Sequence, residues 1–356
     1  MTRTKGRKRS GRAGSPTRPV RVQVLALRDC TPLVPVGVAD LLRKAADLAA
    51  TLPGRNDLPA PQVALVAVAR KPLVRCAGGL ELRCSAALTD VDPGDLVVVP
   101  ALDPDVLVHL DENRLAVPFL KRAFRRGADL ASVCTGAFML AEAGLLDGRS
   151  ATTHWAFQEL FAARYPRVRL APQAVIVDSG RLMTSGGATS FLNLALLLTE
   201  RLLGVEVARA ASKMFLVDVN KAPQGAYAMF STQKTHADEP ILRAQALIEE
   251  SLSEGVSVHE LAQATAMSTR TFVRRFRHAT GNSPREYIQR VRVEAARREL
   301  ESNHDAITSV ATRVGYTDPV AFRKLFVRIT GLTPADYRAR YGPRTTPSWV
   351  ARQRVR

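Results

Sequence analysis

Ser257 to Tyr341 reads SVHELAQATAMSTRTFVRRFRHATGNSPREYIQRVRVEAARRELESNHDAITSVATRVGYTDPVAFRKLFVRITGLTPADYRARY. Ser257 followed three residues later by Glu260 forms a capping box, and Val258, Leu261 and Ala262 recur at helical spacing. Ala264 to Met267 makes a tight turn. Ser268 caps the next helix, where Phe272 and Phe276, four apart, share one face while Arg270, Arg274 and Arg277 occupy the opposite one. A helix apolar on one side and arginine-rich on the other suits a DNA major groove, with its first turns at the base edges.

The pattern recurs. Ile307, Val310 and Ala311 form the next buried stripe, and Gly315 ends that helix with the positive φ only glycine adopts freely. Asp318 caps a further helix and Pro319 takes its first position, where no N–H is needed. Phe322 and Phe326 again lie four apart, with Arg323 and Lys324 facing away, and each unit closes on Thr-Gly followed by Pro. Between the units, Pro284 to about Leu300 holds good helix formers with no interruption. At 1.5 Å per residue it spans roughly 25 Å, enough, with the width of each unit, to hold two recognition helices one DNA turn apart.

This stretch resembles the DNA-binding domain of AraC/XylS-type transcriptional regulators. The resemblance rests on Leu261-Ala262, Met267-Ser268, Phe272, Arg275-Phe276, Gly281-Asn282-Ser283-Pro284, Tyr287, Arg290, Val310-Ala311, Val314-Gly315-Tyr316, Phe322, Phe326, Gly331, Thr333-Pro334 and Tyr337-Arg338. It implies base reading early in the second helix of each unit: Ser268, Thr269, Arg270, Val273 and Arg274, then Pro319, Val320, Arg323 and Lys324.

The whole chain has 356 residues, enough for two domains, with 46% hydrophobic residues to fill their cores. Lys and Arg number 51 against 33 Asp and Glu, a net charge of +18 that points to a polyanionic partner. Residues 1–20 carry Arg3, Lys5, Arg7, Lys8, Arg9, Arg12 and Arg18 and no acid, and 342–356 end in Arg352, Arg354 and Arg356. Both tails are expected to be disordered and to add nonspecific phosphate contacts. No run is long and apolar enough to span a membrane, and the basic N-terminus lacks the apolar stretch of a signal peptide. Cys30, Cys76, Cys84 and Cys134 show no metal-ligand spacing, which suits reduced thiols in the cytoplasm and calls for no metal or cofactor.

Residues 21–205 alternate strands and helices, the signature of a doubly wound, mostly parallel α/β sheet. Arg21–Leu27, Val63–Ala69, Asp95–Pro100 and Asp129–Val133 read as strands, with a small hairpin about Gly78-Gly79. Pro35–Gly37 reads as a turn before a helix opened by Asp40, Val106–Arg126 as one helix, Met183–Gly187 as a turn and Thr189–Leu203 as a long apolar helix suited to a subunit interface. Ser132-Val133-Cys134-Thr135-Gly136 runs a strand straight into a helix, the arrangement of a nucleophile elbow. The helix N-terminus would favour a thiolate at Cys134, with His154 and Asp40 as candidate partners.

This half resembles the DJ-1/PfpI branch of the class I glutamine amidotransferase-like, flavodoxin-like fold, through Gly37-x-x-Asp40, Asp95–Pro100, Cys134-Thr135-Gly136, Ala151–Trp155 and Thr184–Gly187. Asp stands where the branch usually has Glu, and Ala101-Leu102 where many relatives carry Gly-Gly. The fusion resembles the GlxA-type subgroup of AraC regulators. That implies a regulator of 21–205 (sensory or dimerising α/β domain), 206–239 (linker) and 240–341 (DNA-binding domain). Its partners would be double-stranded promoter or operator DNA, a small effector, a second subunit and RNA polymerase. The other reading is a Cys-dependent amidase or hydratase with an accessory DNA-binding domain.

Overall fold

The computed structural model describes residues 18–52, 59–102, 105–187, 189–218, 223–228, 230, 233–234 and 236–343. The expected basic tails fall largely outside these residues. The chain forms two units, 1–221 and 222–356.

In the first unit the order is β1 (Arg21–Ala26), α1 (Leu33–Thr51), β2 (Gln62–Ala67), β3 (Leu73–Arg75), β4 (Glu81–Arg83), β5 (Ala86–Ala87), β6 (Leu96–Val99), α2 (Val106–Glu112), α3 (Ala116–Arg125), β7 (Asp129–Val133), α4 (Ala137–Glu142), β8 (Ser150–Ala151), α5 (Gln158–Arg164), β9 (Arg169–Leu170), β10 (Ile176–Asp178), β11 (Leu182–Ser185), α6 (Ser190–Leu203) and α7 (Val205–Met214). Seven strands form one sheet in the order β10-β11-β7-β6-β1-β2-β5, parallel except for β10. β6 and β7 are flanked by strands on both sides and covered on both faces, so all of β6 and all of β7 beyond Asp129 is buried rather than alternating. One face packs on α2 to α5 around Phe119, Phe138 and Phe161, the other on α1 and α6 around Val34, Phe191 and Leu194.

Five expectations are corrected here. Pro35–Gly37 is not a turn. α1 starts at Leu33, so Pro35 lies in its first turn, where a missing N–H costs nothing. Gly37 is demanded by packing, since a Cβ there would fall 2.5 Å from the Phe191 ring. Asp40 therefore lies inside the helix rather than opening it. Met183–Gly187 is not a turn either: Leu182–Ser185 is β11, parallel to β7 and wholly buried. Its hydroxyls are absorbed locally, Thr184 Oγ1 accepting from Thr152 N–H (2.8 Å) and Ser185 Oγ donating to Ser132 O (3.3 Å). Val106–Arg126 breaks into α2 and α3 because buried Asn113 turns aside, accepting from Arg28 N–H (2.8 Å) and donating to Arg28 O (3.0 Å). Finally, the linker expected over 206–239 is partly structural. α7 buries Val207, Ala208 and Ala211, and α8 (Glu239–Glu250) begins at its far end. At the other boundary Arg18 grips the Asp95 carboxylate with both terminal nitrogens (2.9 and 2.7 Å), and Val20 O accepts from Gln62 N–H (2.9 Å). Residues 18–20 thus belong to the sheet edge rather than the tail.

The second unit is helical: α8, α9 (Val258–Ala264), α10 (Thr269–Thr280), α11 (Pro284–Ser302), α12 (Ile307–Arg313), α13 (Pro319–Thr330) and α14 (Pro334–Tyr341). Both elements of the Ser257/Glu260 capping box form. The unit holds two cores. Phe272 and Phe276 pack with Tyr287 and Val291, and Phe322 and Phe326 pack with Val293, Ala296, Leu300 and Tyr337. Phe276 meets Tyr287 edge-on at 5.3 Å and Phe326 meets Tyr337 edge-on at 5.4 Å.

Phe272→Ala and Phe322→Ala should each cost about 3–5 kcal/mol, the usual price of emptying a buried aromatic site. Native-state hydrogen exchange checks the two-core arrangement. Phe272→Ala should expose amides of α8 to α10 more than those of α12 to α14, and Phe322→Ala the reverse.

Candidate functional site

Two features carry chemistry, and each lies within one unit. In the second unit, α9 turns into α10 through Ala266 in the left-handed region (φ 55°), and Met267 N–H closes back on Ala262 O at 2.9 Å. α12 turns into α13 in the same way, with Gly315 at φ 83° and Tyr316 N–H on Ala311 O at 2.9 Å. A side chain at Gly315 would meet Leu252 O at 2.3 Å, so this second turn needs glycine on two counts.

The turns aim the recognition helices. Ser268 Oγ accepts from Thr271 N–H and Asp318 Oδ1 from Val320 N–H, so both first turns are capped. Beyond the caps, Thr269, Arg270 and Arg274 are exposed and Val273 half-buried on α10, while Pro319, Val320, Arg323 and Lys324 are exposed on α13. Arg275, on the flank of α10, is held by Asp238 at 2.5 Å, and Arg328, on the flank of α13, donates to Gln289 at 2.8 Å. Among the described residues Arg270, Arg274, Arg323 and Lys324 form no ion pair. The flanking cations are thus taken up by the protein, whereas those on the expected reading face remain available to phosphates or base edges.

In the first unit, β7 feeds Cys134, whose φ of 57° makes it a non-glycine residue in the left-handed region. Gly136 permits this turn, because a Cβ there would lie 2.4 Å from Pro100 O and 2.8 Å from Val99 O. The elbow expected from the sequence therefore forms, but its surroundings differ. Burial pushes the Cys134 thiol up to about 11, outweighing the opposing hydrogen bonds from Thr135. Desolvation thus opposes the thiolate that the helix N-terminus would favour.

Among the described residues neither candidate partner is hydrogen-bonded to the sulfur. Asp40 is exposed and sits 3.4 Å from Lys44 on its own helix. His154 Nδ1 accepts from Ala156 N–H at 3.1 Å, so a neutral ring carries its proton on Nε2 and cannot take another there while neutral. Burial lowers the His154 pKa, which keeps the ring neutral. No hydrogen bond joins Cys134 to either residue among the described residues; the nearest link is Thr153 Oγ1 donating to Cys134 O at 3.0 Å. Thr135, which sequence reasoning passed over, decides the other wall. Leu102 N–H donates to its hydroxyl (2.8 Å), which donates to Leu102 O (2.7 Å), so this backbone donor is not free to hold an oxyanion.

A parallel α/β unit with a cysteine elbow, followed by two helix-turn-helix repeats with open basic faces, defines a two-domain protein of the DNA-binding regulator class. Residues 57–201 match the DJ-1/PfpI family, and residues 261–340 match the helix-turn-helix domain family. The chain is 30% identical over 261 residues to the HTH-type transcriptional regulator GbdR of Pseudomonas aeruginosa, covering 73% of this chain and 70% of that one. It is 27% identical over 224 residues to the HTH-type transcriptional regulator GlxA of Rhizobium meliloti, covering 63% and 69%. Over 156 residues it is 34% identical to the isonitrile hydratase of Pseudomonas putida, covering 43% and 64%. The protein belongs to the AraC family of HTH-type transcriptional regulators, in the GlxA-type group that carries a DJ-1/PfpI domain. No described helix is long and apolar enough to cross a membrane.

At pH 7.5 native Cys134 should react with iodoacetamide about a hundredfold more slowly than an unperturbed thiol, since roughly two pH units separate it from the ordinary cysteine value. Its labelling rate should rise about tenfold per pH unit between pH 8 and 10, read by quantitative mass spectrometry. A pH-independent rate in that window would contradict the assignment.

Proposed function

We propose that this regulator reads its operator with Ser268, Thr269, Arg270, Val273 and Arg274 of α10 and with Pro319, Val320, Arg323 and Lys324 of α13, in successive major grooves. The observation that carries the reading is the recurrence of one capped, cationic face on two helices packed against the same long helix. α11 has 19 residues, about 28 Å of helix, which with the width of each repeat suits the roughly 34 Å between equivalent groove faces. Val320, 59% exposed at the start of α13, offers the apolar contact that a thymine methyl prefers.

The α/β unit acts in this proposal as a cytoplasmic sensor and pairing module, without turnover. Three features support the absence of catalysis: a protonated elbow thiol, a carboxylate turned to Lys44 and a backbone donor consumed by Thr135. Pairing through α6 finds little support, because Phe191, Leu194, Leu196 and Leu198 are spent inside the unit. Leu33, Val36, Leu107 and Val108 are the better candidates, each more than two-fifths exposed. A regulator bound beside a promoter also lies within reach of RNA polymerase, and contact with it forms part of the proposal.

Genome-wide mapping of bound sites, followed by binding to the recovered operator, tests the reading. Arg274→Ala and Arg323→Ala should each weaken operator binding by about 1–3 kcal/mol with little change on random DNA. Removing residues 1–17 should weaken both and flatten the salt dependence. Equal losses on operator and random DNA for the two arginine variants would refute their part in readout. Sedimentation velocity should give a dimer at micromolar concentration that Leu107→Glu with Val108→Glu converts to monomer. Multiple turnover of a small isonitrile or amide, lost in Cys134→Ser, would replace the sensor reading with an enzymatic one.

A further inference from the structure

α6 and α7 are joined by Gly204 alone and fold back on each other, leaving a groove of about 320 Å³. Its described walls are Ile176 of β10 and two helical stripes. Asn193, Leu196, Leu197 and Glu200 come from α6, and Val205, Ala208, Arg209 and Ser212 from α7. Both follow the i, i+3, i+4, i+7 spacing of a single helix face. The volume is that of a small-molecule site, and the middle of the groove is apolar.

The ends are polar. Glu200 lies near the Gly204 corner. Asn193 is two turns away, about 10 Å along α6. On α7, Arg209 and Ser212 lie towards the Asn193 end. Neither Glu200 nor Arg209 forms an ion pair among the described residues. Asn193 is the informative side chain. It is 8% exposed, its Nδ2 donates to Asp218 O at 2.9 Å, and its Oδ1 accepts no hydrogen bond from the protein. A buried amide oxygen without a donor is costly, so this amide is held in place mainly by its Nδ2 bond to Asp218 O.

The same residues hold the point where the chain leaves the unit. Asn193 grips Asp218 O, and Ser212 O accepts from Val217 N–H at 2.9 Å. Unit 1 ends at Lys221, three residues beyond Asp218. Anything that re-aims the Asn193 amide therefore acts on the tether of the segment running to the DNA-binding unit. The elbow cysteine plays no part in this arrangement, since Cys134 packs with Phe191 and Met183 on the sheet side of α6.

We propose that the α6/α7 groove binds a short-chain carboxylate bearing a hydrogen-bond donor at its other end, and that occupancy is relayed through Asn193 to the chain at Val217 and Asp218. The carboxylate pairs with Arg209. The apolar stem lies on Leu196, Leu197 and Ala208. The donor reaches Glu200, while the carboxylate, at the Asn193 end, accepts the second Asn193 Nδ2–H and so fixes the amide that holds Asp218 O. This proposal deepens the sensor reading above and rests on it.

The test uses 5-aminopentanoate, with pentanoate and pentylamine as controls lacking one end each, and the full-length protein in calorimetry. 5-Aminopentanoate should bind with a Kd below about 1 mM and each control at least tenfold more weakly. Binding should slow amide exchange at Val217 and Asp218. Ala208→Trp, which fills the groove, should abolish both effects. Arg209→Ala, an exposed change that leaves the helix core alone, should weaken 5-aminopentanoate at least tenfold and leave pentylamine unaffected. No heat from 5-aminopentanoate at about 10 mM, or binding that survives both substitutions, overturns the proposal. Retention of operator DNA by the wild type without any probe is scored separately. Its absence would sink the regulator reading, whereas its presence with no probe binding sinks only the groove.

Discussion

One helix must complete two hydrophobic cores at once, and the geometry of the DNA-binding unit depends on it. α11 gives Tyr287 and Val291 to the first repeat and Val293, Ala296 and Leu300 to the second. Its buried positions therefore circle the helix instead of forming one stripe, as expected for a helix covered on several sides. Arg297 lies buried within this covered stretch. Its guanidinium donates to the carbonyls of Gly225 and Ala228 and pairs with Glu294 at 3.3 Å. Its Nε has no partner, but the bonds from its two terminal nitrogens tie the segment at 225–228 to α11. Two recognition helices packed on one straight support have a defined spacing, which is what reading two successive grooves requires.

The repeat made this half legible in advance. Helix caps, αL turns and Phe-x-x-x-Phe pairs are local signals whose meaning does not depend on distant contacts. The equivalent residues recur fifty positions apart, from Phe272 and Phe322 to Tyr287 and Tyr337. The first half was legible in outline. Buried strands such as Asp129–Val133 announce themselves by composition, and the junction at Cys134 forms as its spacing implies. The errors fell where tertiary contacts override local preference. Leu182–Ser185, followed by Gly-Gly, looks like a turn until Thr152 and Ser132 are seen to pair with its hydroxyls. Pro35 and Gly37 look like a break until Phe191 is seen crossing α1 at Gly37.

The candidate sites divide in the same way. A nucleic-acid face is a surface property of a helix, so the available cations on α10 and α13 follow from periodicity once the buried face is known. A reactive cysteine site depends on three side chains converging from separate elements, and spacing along the chain says nothing about convergence. Asp40 is displaced because α1 starts a turn earlier than its Pro and Gly suggest. Leu102 is unavailable because of a hydroxyl on the far side of the elbow. The strained backbone at Cys134 thus forms with no hydrogen bond from Asp40 or His154 to the sulfur among the described residues.

That persistence has a structural reason. Gly136 approaches Pro100 O and Val99 O more closely than any side chain allows, and Thr135 links the elbow to Leu102 by two hydrogen bonds. The turn therefore joins the ends of β6 and β7, and it contributes to the sheet whether or not the sulfur reacts. Strain at such a position is a sign of function only when the surrounding groups are arranged to use it. Here they are arranged to close it. Among the described residues of the α/β unit, the buried side-chain polar atoms without a partner are Ser132 Oγ, within the sheet, and Asn193 Oδ1, at the α6/α7 groove and on the amide that holds Asp218 O.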